Sequence, residues 1–130
     1  MFGVRRSTDK IGPRGERLAA KFLKRLGYRI LRRNWNSKFG EIDLIARDGD
    51  EVVFVEVKTR ASRAWGDPEE AVTPAKRRKL SRTAVEFVER HRLREYPLRF
   101  DIVAIVLPKD GDPEFEHFKD AFTISKSVGG

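Results

Sequence analysis

Glu41-Ile42-Asp43-Leu44-Ile45-Ala46, then Arg47-Asp48-Gly49-Asp50, then Glu51-Val52-Val53-Phe54-Val55-Glu56-Val57-Lys58 read as two strands joined by a tight turn. β-branched and aromatic side chains suit a pleated surface, and Asp-Gly between apolar runs is a strong hairpin signal. Val52, Val53, Phe54, Val55 and Val57 are apolar on both faces, the pattern of a buried central strand, yet Glu56 and Lys58 interrupt one face at its end. In the preceding strand, Glu41 and Asp43 share one face and Ile42, Leu44 and Ala46 the other. A loop running from Asp48 to Glu51 sets Asp43 directly opposite Glu56.

Two carboxylates in that relation repel, and removal from water makes the repulsion worse, so positive charge belongs between them. A hard divalent cation takes carboxylate and carbonyl oxygens. Asp43, Glu56 and the carbonyl of Val57 therefore offer three ligands to Mg2+ or Mn2+, with water completing the octahedron. Lys58, on the same face as Glu56, is placed to orient or deprotonate an attacking water and to stabilise charge developing on phosphorus, which is phosphodiester hydrolysis chemistry. The same residues also fit a closed salt-bridge cluster at the end of a sheet, and the spacing alone leaves both readings open.

Outward from this hairpin, residues 1–12 lack periodicity and are expected as a flexible basic arm. From Pro13, Leu18, Ala19, Phe22, Leu23 and Leu26 recur at helical spacing, with Gly27 as the stop. Glu16, in the first turn, borders the buried side of that helix and either favours its N-terminus electrostatically or leans toward the metal. Tyr28 to Trp35 reads as a first strand, and residues 60–72 as an irregular connection in which Trp65 serves packing or base stacking. Thr73-Pro74 offers an N-cap and an N1 proline for a helix to about His91 that buries Leu80, Ala84, Phe87 and Val88. Phe100 to Leu107 is an apolar strand, with Asp101 a structural residue near its start, and Phe115 to Phe118 a short edge strand. The order α-β-β-β-α-β-β predicts an α/β fold, a mixed central β-sheet flanked by helices, in one domain over 13–120 with a tail at 121–130.

The 130 residues contain no Cys, which excludes disulfides and Cys-based zinc sites, and His91 and His117 alone make a poor transition-metal site. No apolar run approaches the ~18 residues of a membrane span, so no membrane is expected and the expected compartment is the cytoplasm. The net charge of +8 is unevenly spread: residues 1–33 carry eleven Lys/Arg against two acids and residues 74–94 eight against two, while 34–73 hold five bases against nine acids. Basic flanks around an acidic centre suit a phosphate backbone, whose counterions clustered cations release. Lys76, Arg77, Arg78, Arg82 and Arg60 are the candidate phosphate contacts. Lys76 is pointed out by its place in the first turn of a helix, where a cation is electrostatically disfavoured.

Gly15-Glu16 with Ala19, Gly27-Tyr28, Asn34, Gly40-Glu41-Ile42-Asp43-Leu44-Ile45, Phe54-Val55-Glu56-Val57-Lys58, Arg60, Trp65-Gly66, Lys76 and Arg99-Phe100-Asp101 together resemble the YraN family of bacterial proteins over about residues 12–107. The resemblance implies a restriction-endonuclease-like core, similar to archaeal Holliday-junction resolvases and other PD-(D/E)xK proteins. On that motif Asp43 stands at the first metal-binding acid, Glu56 at the second and Lys58 at the lysine, and Glu16 resembles the helix-one glutamate of the resolvases. Ile42 replaces the proline that precedes the first acid. The resolvase relatives imply a symmetric homodimer. The reading is a metal-dependent endonuclease acting on DNA, in particular branched or structured DNA. The alternatives are a catalytically silent nucleic-acid-binding module of the same fold and an interaction protein whose charges maintain solubility.

Overall fold

The computed structural model describes residues 2–61 and 72–123, with side chains from residue 13 onward. Seven elements follow in order: α1 (Phe2–Arg25), β1 (Arg29–Ser37), β2 (Gly40–Asp48), β3 (Glu51–Arg60), α2 (Pro74–Arg90), β4 (Leu98–Val106) and β5 (Glu114–Phe122). The expected order α-β-β-β-α-β-β is the observed one. The strands form a single mixed sheet in the order β1-β2-β3-β4-β5, with β3 and β4 parallel and the other neighbours antiparallel. Parallel neighbours need a long crossover, which here carries α2.

Local chemistry explains the boundaries. Thr73 caps α2, its hydroxyl accepting the Lys76 N–H at 3.2 Å, and Pro74 fills the first turn, where its missing N–H costs nothing. Asp48 pairs with Glu51, leaving a two-residue loop in which Gly49 supplies the positive φ (61°) that such hairpins require. Two expectations need correction. Helix α1 begins at Phe2 and not at Pro13, so residues 2–12 lie within its span; a proline inside a helix removes one N–H from the ladder, and the turns on either side still propagate. Strand β5 is longer than Phe115 to Phe118, because its pairing with β4 resumes at Phe100↔Phe122 after a register shift. Trp65 and Gly66 lie outside the described residues.

Each face of the sheet has its own core. On one side α2 buries Leu80, Ala84, Phe87 and Val88 against Ile42, Ile45, Val52, Phe54, Phe100 and Ile102. On the other, α1 buries Ala19, Ala20 and Leu23 against Leu44, Ala46, Val53, Val55, Val103 and Ile105. Each of the larger side chains contributes about 1.5–3 kcal/mol of transfer free energy. Among the described residues no helix is long and apolar enough to cross a membrane.

Candidate active site at the end of the central strands

Leu44 pairs with Val55, the last rung of the β2–β3 ladder. One step further the same register sets Asp43 against Glu56, as the hairpin spacing requires. The expected sharing of a face by Ile42 and Leu44 does not hold: Ile42 packs in the α2-side core and Leu44 in the α1-side core. The break falls at Asp43. On the neighbouring strand Arg33 pairs with Leu44 and Trp35 with Ile42, so Asn34 stands opposite Asp43, and Asn34 takes a left-handed conformation (φ 49°). Strict two-residue alternation fails where both partners kink.

This irregularity lets the Asp43 carboxylate turn into the sheet, where Oδ2 accepts the backbone N–H of Val57 at 2.8 Å. Burial, and then the adjacent Glu56, push the Asp43 carboxyl up to about 8. Glu56 projects from β3 toward α2, its side chain only 8% exposed, and is held by two ammonium groups: Lys58 at 3.3 Å and Lys76 in a shorter contact. Burial lowers the pKa of Lys58 despite the attraction of Glu56. Lys76 is likewise desolvated, but its hydrogen bond to Glu56 and the negative charge there outweigh burial and raise it.

Glu16 arrives from the opposite face. Helix α1 lies so close to β3 that a Cβ at Gly15 would collide with the Thr59 hydroxyl, so glycine permits, without displacing that side chain, the approach that delivers the next residue to the strand end. Burial raises the pKa of Glu16, against a hydrogen bond from Asn34, and Glu41 and Glu56 add to the rise. Asp43, Glu56, Lys58 and Glu16 are thus brought together, with Val57 between them.

The basic candidates divide. Lys76, expected at a phosphate, is engaged by Glu56. The Arg77 guanidinium donates to the Val72 carbonyl at 3.0 Å and lies 5.3 Å from the Phe122 ring centroid, so it ties α2 to β5. Arg78 and Arg82 are exposed on α2. Arg60 closes β3, its carbonyl accepting the Leu107 N–H at 2.7 Å.

Sequence reasoning missed the role of Lys76 as a partner of Glu56 and that of Asn34 as a partner of Glu16; the signals for the latter were the place of Asn34 in the family pattern and the left-handed tolerance of asparagine. Asp101 is structural, as expected. It is fully buried and receives the Arg99 fork at 2.9 and 3.0 Å, the Asp120 N–H at 3.0 Å and the His117 ring at 2.7 Å.

The oxygen donors suit a hard divalent cation. Burial first, and Glu56 next, raise the Asp43 carboxyl pKa, so Asp43 is the carboxylate that a bound cation would relieve, Glu56 being already held by Lys58 and Lys76. Among the described residues no group of three or more His, Asp or Glu side chains forms a cage. A cation there would draw its remaining ligands from backbone carbonyl and water, the Val57 carbonyl being next in line after Glu56.

An α/β protein with a carboxylate pair where the β2–β3 ladder ends, held by one lysine from β3 and one from α2, is the class that fold and site define. The family described as Uncharacterised protein family UPF0102 matches residues 15–105. A UPF0102 protein of Geotalea daltonii is 48% identical over 126 residues, covering 96% of this chain and 99% of that protein. A UPF0102 protein of Rhodococcus opacus is 46% identical over 112 residues, covering 86% and 95%. The chain belongs to the UPF0102 family, the YraN family whose pattern its residues carry.

Proposed function

We propose that the protein is a metal-dependent endonuclease with a restriction-endonuclease-like, PD-(D/E)xK core, hydrolysing phosphodiester bonds in DNA, including branched or structured DNA. The observation that carries this reading is the Asp43 carboxylate, turned into the sheet at the point where β2 leaves β3 and set beside the buried Glu56. A pure nucleic-acid binder gains nothing from buried acids next to phosphate, since they repel it. Asp43, Glu56 and the Val57 carbonyl would hold Mg2+ or Mn2+, which supplies an acidified water and neutralises phosphate charge. Lys58, desolvated and therefore readier to release its proton, orients the water or takes part in its deprotonation. Its charge also stabilises the developing pentacovalent phosphorus. Glu16, brought from α1 to the same place, would add a further carboxylate beside the metal. The exposed Arg78 and Arg82 face the backbone of the substrate.

A second reading, a catalytically silent binding module, is favoured by one feature: both lysines already neutralise Glu56 from within the chain. A cleavage screen over linear, flapped and four-way DNA and RNA with Mg2+ or Mn2+ decides between them. The nuclease reading expects metal-dependent products that Asp43→Asn abolishes while binding persists. Binding without cleavage on every substrate supports the silent module.

A further inference from the structure

The turn between β1 and β2 carries an aromatic ring that neither core claims. Phe39 is half-buried but belongs to neither hydrophobic cluster. The Lys38 ammonium lies 5.2 Å and the Arg82 guanidinium 5.9 Å from its ring centroid, and both cations are exposed. The turn itself is held. Ser37 Oγ accepts the Phe39 N–H at 3.0 Å, and Gly40, at φ 154°, lies so near α2 that a Cβ would come within 3.4 Å of Thr83 Oγ1. The ring therefore stands on a fixed base with two long, exposed cationic side chains beside it.

We propose that the Phe39 turn is a docking site for an unpaired nucleotide, its base stacking on the Phe39 ring while Lys38 and Arg82 swing to the flanking phosphates. Base-on-aromatic stacking is tolerant of sequence and combines with clustered cations wherever proteins hold single strands. Gly40 opens β2 and Asp43 follows three residues on, so the backbone positions of Phe39 and Asp43 are roughly 10–13 Å apart along an extended chain. At about 3.4 Å per stacked nucleotide, that is three or four nucleotides, short enough for one strand to reach both. The inference rests on the nuclease reading of the Asp43 site and narrows its substrate class to nucleic acid with an unpaired segment.

The test measures binding in EDTA, with no cleavage readout, using a labelled oligothymidylate of roughly 15 nucleotides and a duplex of the same length. Phe39→Ala should weaken single-strand binding by about tenfold and duplex binding by less than about twofold. Phe39→Trp should restore single-strand affinity, with its added fluorescence quenched on binding. Equal losses on both probes, no loss on either, or a fall in melting temperature without selective loss of single-strand affinity overturns the proposal. Failure of wild type to bind either probe overturns it together with the nucleic-acid reading. Binding without preference between strands overturns it alone and leaves the nuclease reading standing.

Discussion

The Asp43 carboxylate accepts the backbone N–H of Val57 at 2.8 Å, a side chain completing the sheet where the next ladder bond would fall. That bond fixes one oxygen of Asp43 beside the peptide that follows Glu56.

The raised pKa of Asp43, about 8 against 3.8, makes stability depend on pH with a definite sign. The native state keeps a proton that the unfolded chain releases, so this contribution is fully present below about pH 3.8 and is lost as pH rises through about 8. In EDTA the wild-type melting temperature should therefore fall between pH 5 and pH 9, and Asp43→Asn should flatten the fall. At pH 9 the variant should melt at least ~5 °C higher. Parallel pH profiles for the two proteins would contradict the burial of a protonated Asp43.

Metal should reverse that penalty. A ligand bound only by the folded state stabilises it by about 2.7 kcal/mol at a hundredfold excess over Kd, so saturating Mn2+ or Mg2+ should raise melting by on the order of 10 °C. Asp43→Asn should show little shift. A metal-insensitive wild type would point to the closed ion-pair cluster.

Lys76 grips Glu56, the carboxylate on which the proposed cation would also draw. Lys76→Ala should therefore tighten Mn2+ binding by on the order of tenfold in calorimetric titration, because a like charge is removed from the site. Lys58→Ala should instead lower turnover by on the order of 10²-fold or more, with a modest loss of affinity. Weaker metal binding by Lys76→Ala would show that the lysine supports the site.

Arg78 and Arg82 differ from Arg77 in what they hold. Neutralising the exposed pair should reduce the slope of log K against log salt on duplex DNA by roughly 0.9 for each phosphate that no longer meets a cation. Arg77→Ala should leave that slope nearly unchanged and lower the melting temperature. Equal effects of all three on the slope would show that Arg77 leaves Val72 to meet the phosphate.

Arg99 is 7% exposed and donates to Asp101, to Asp48 Oδ2 at 3.0 Å and to Glu51 Oε1 at 2.7 Å, joining β4 to the hairpin below the α1-side core. Removing one partner of a buried pair costs about 3–5 kcal/mol. Asp101→Asn should lower melting by roughly 10–20 °C at ~3–5 °C per kcal/mol, without changing metal affinity. A loss of metal binding at unchanged stability would place Asp101 in the site.

The amino-acid sequence by itself determined the elements and one crucial register. Apolar periodicity marks α1 and α2, because a helix must bury one stripe. The Asp-Gly turn aligns Asp43 with Glu56, because a hairpin register follows from the length of its loop. Both are local rules, acting over a few residues. The kink that turns Asp43 toward Val57, the approach of Gly15 to Thr59 that delivers Glu16, and the grip of Lys76 on Glu56 were decided only by the tertiary structure. The first depends on where β2 leaves its ladder with β3, and the other two join a helix to the strand it packs against. An ion pair between β3 and α2 depends on where a helix lands across the strands, and no local spacing records that position.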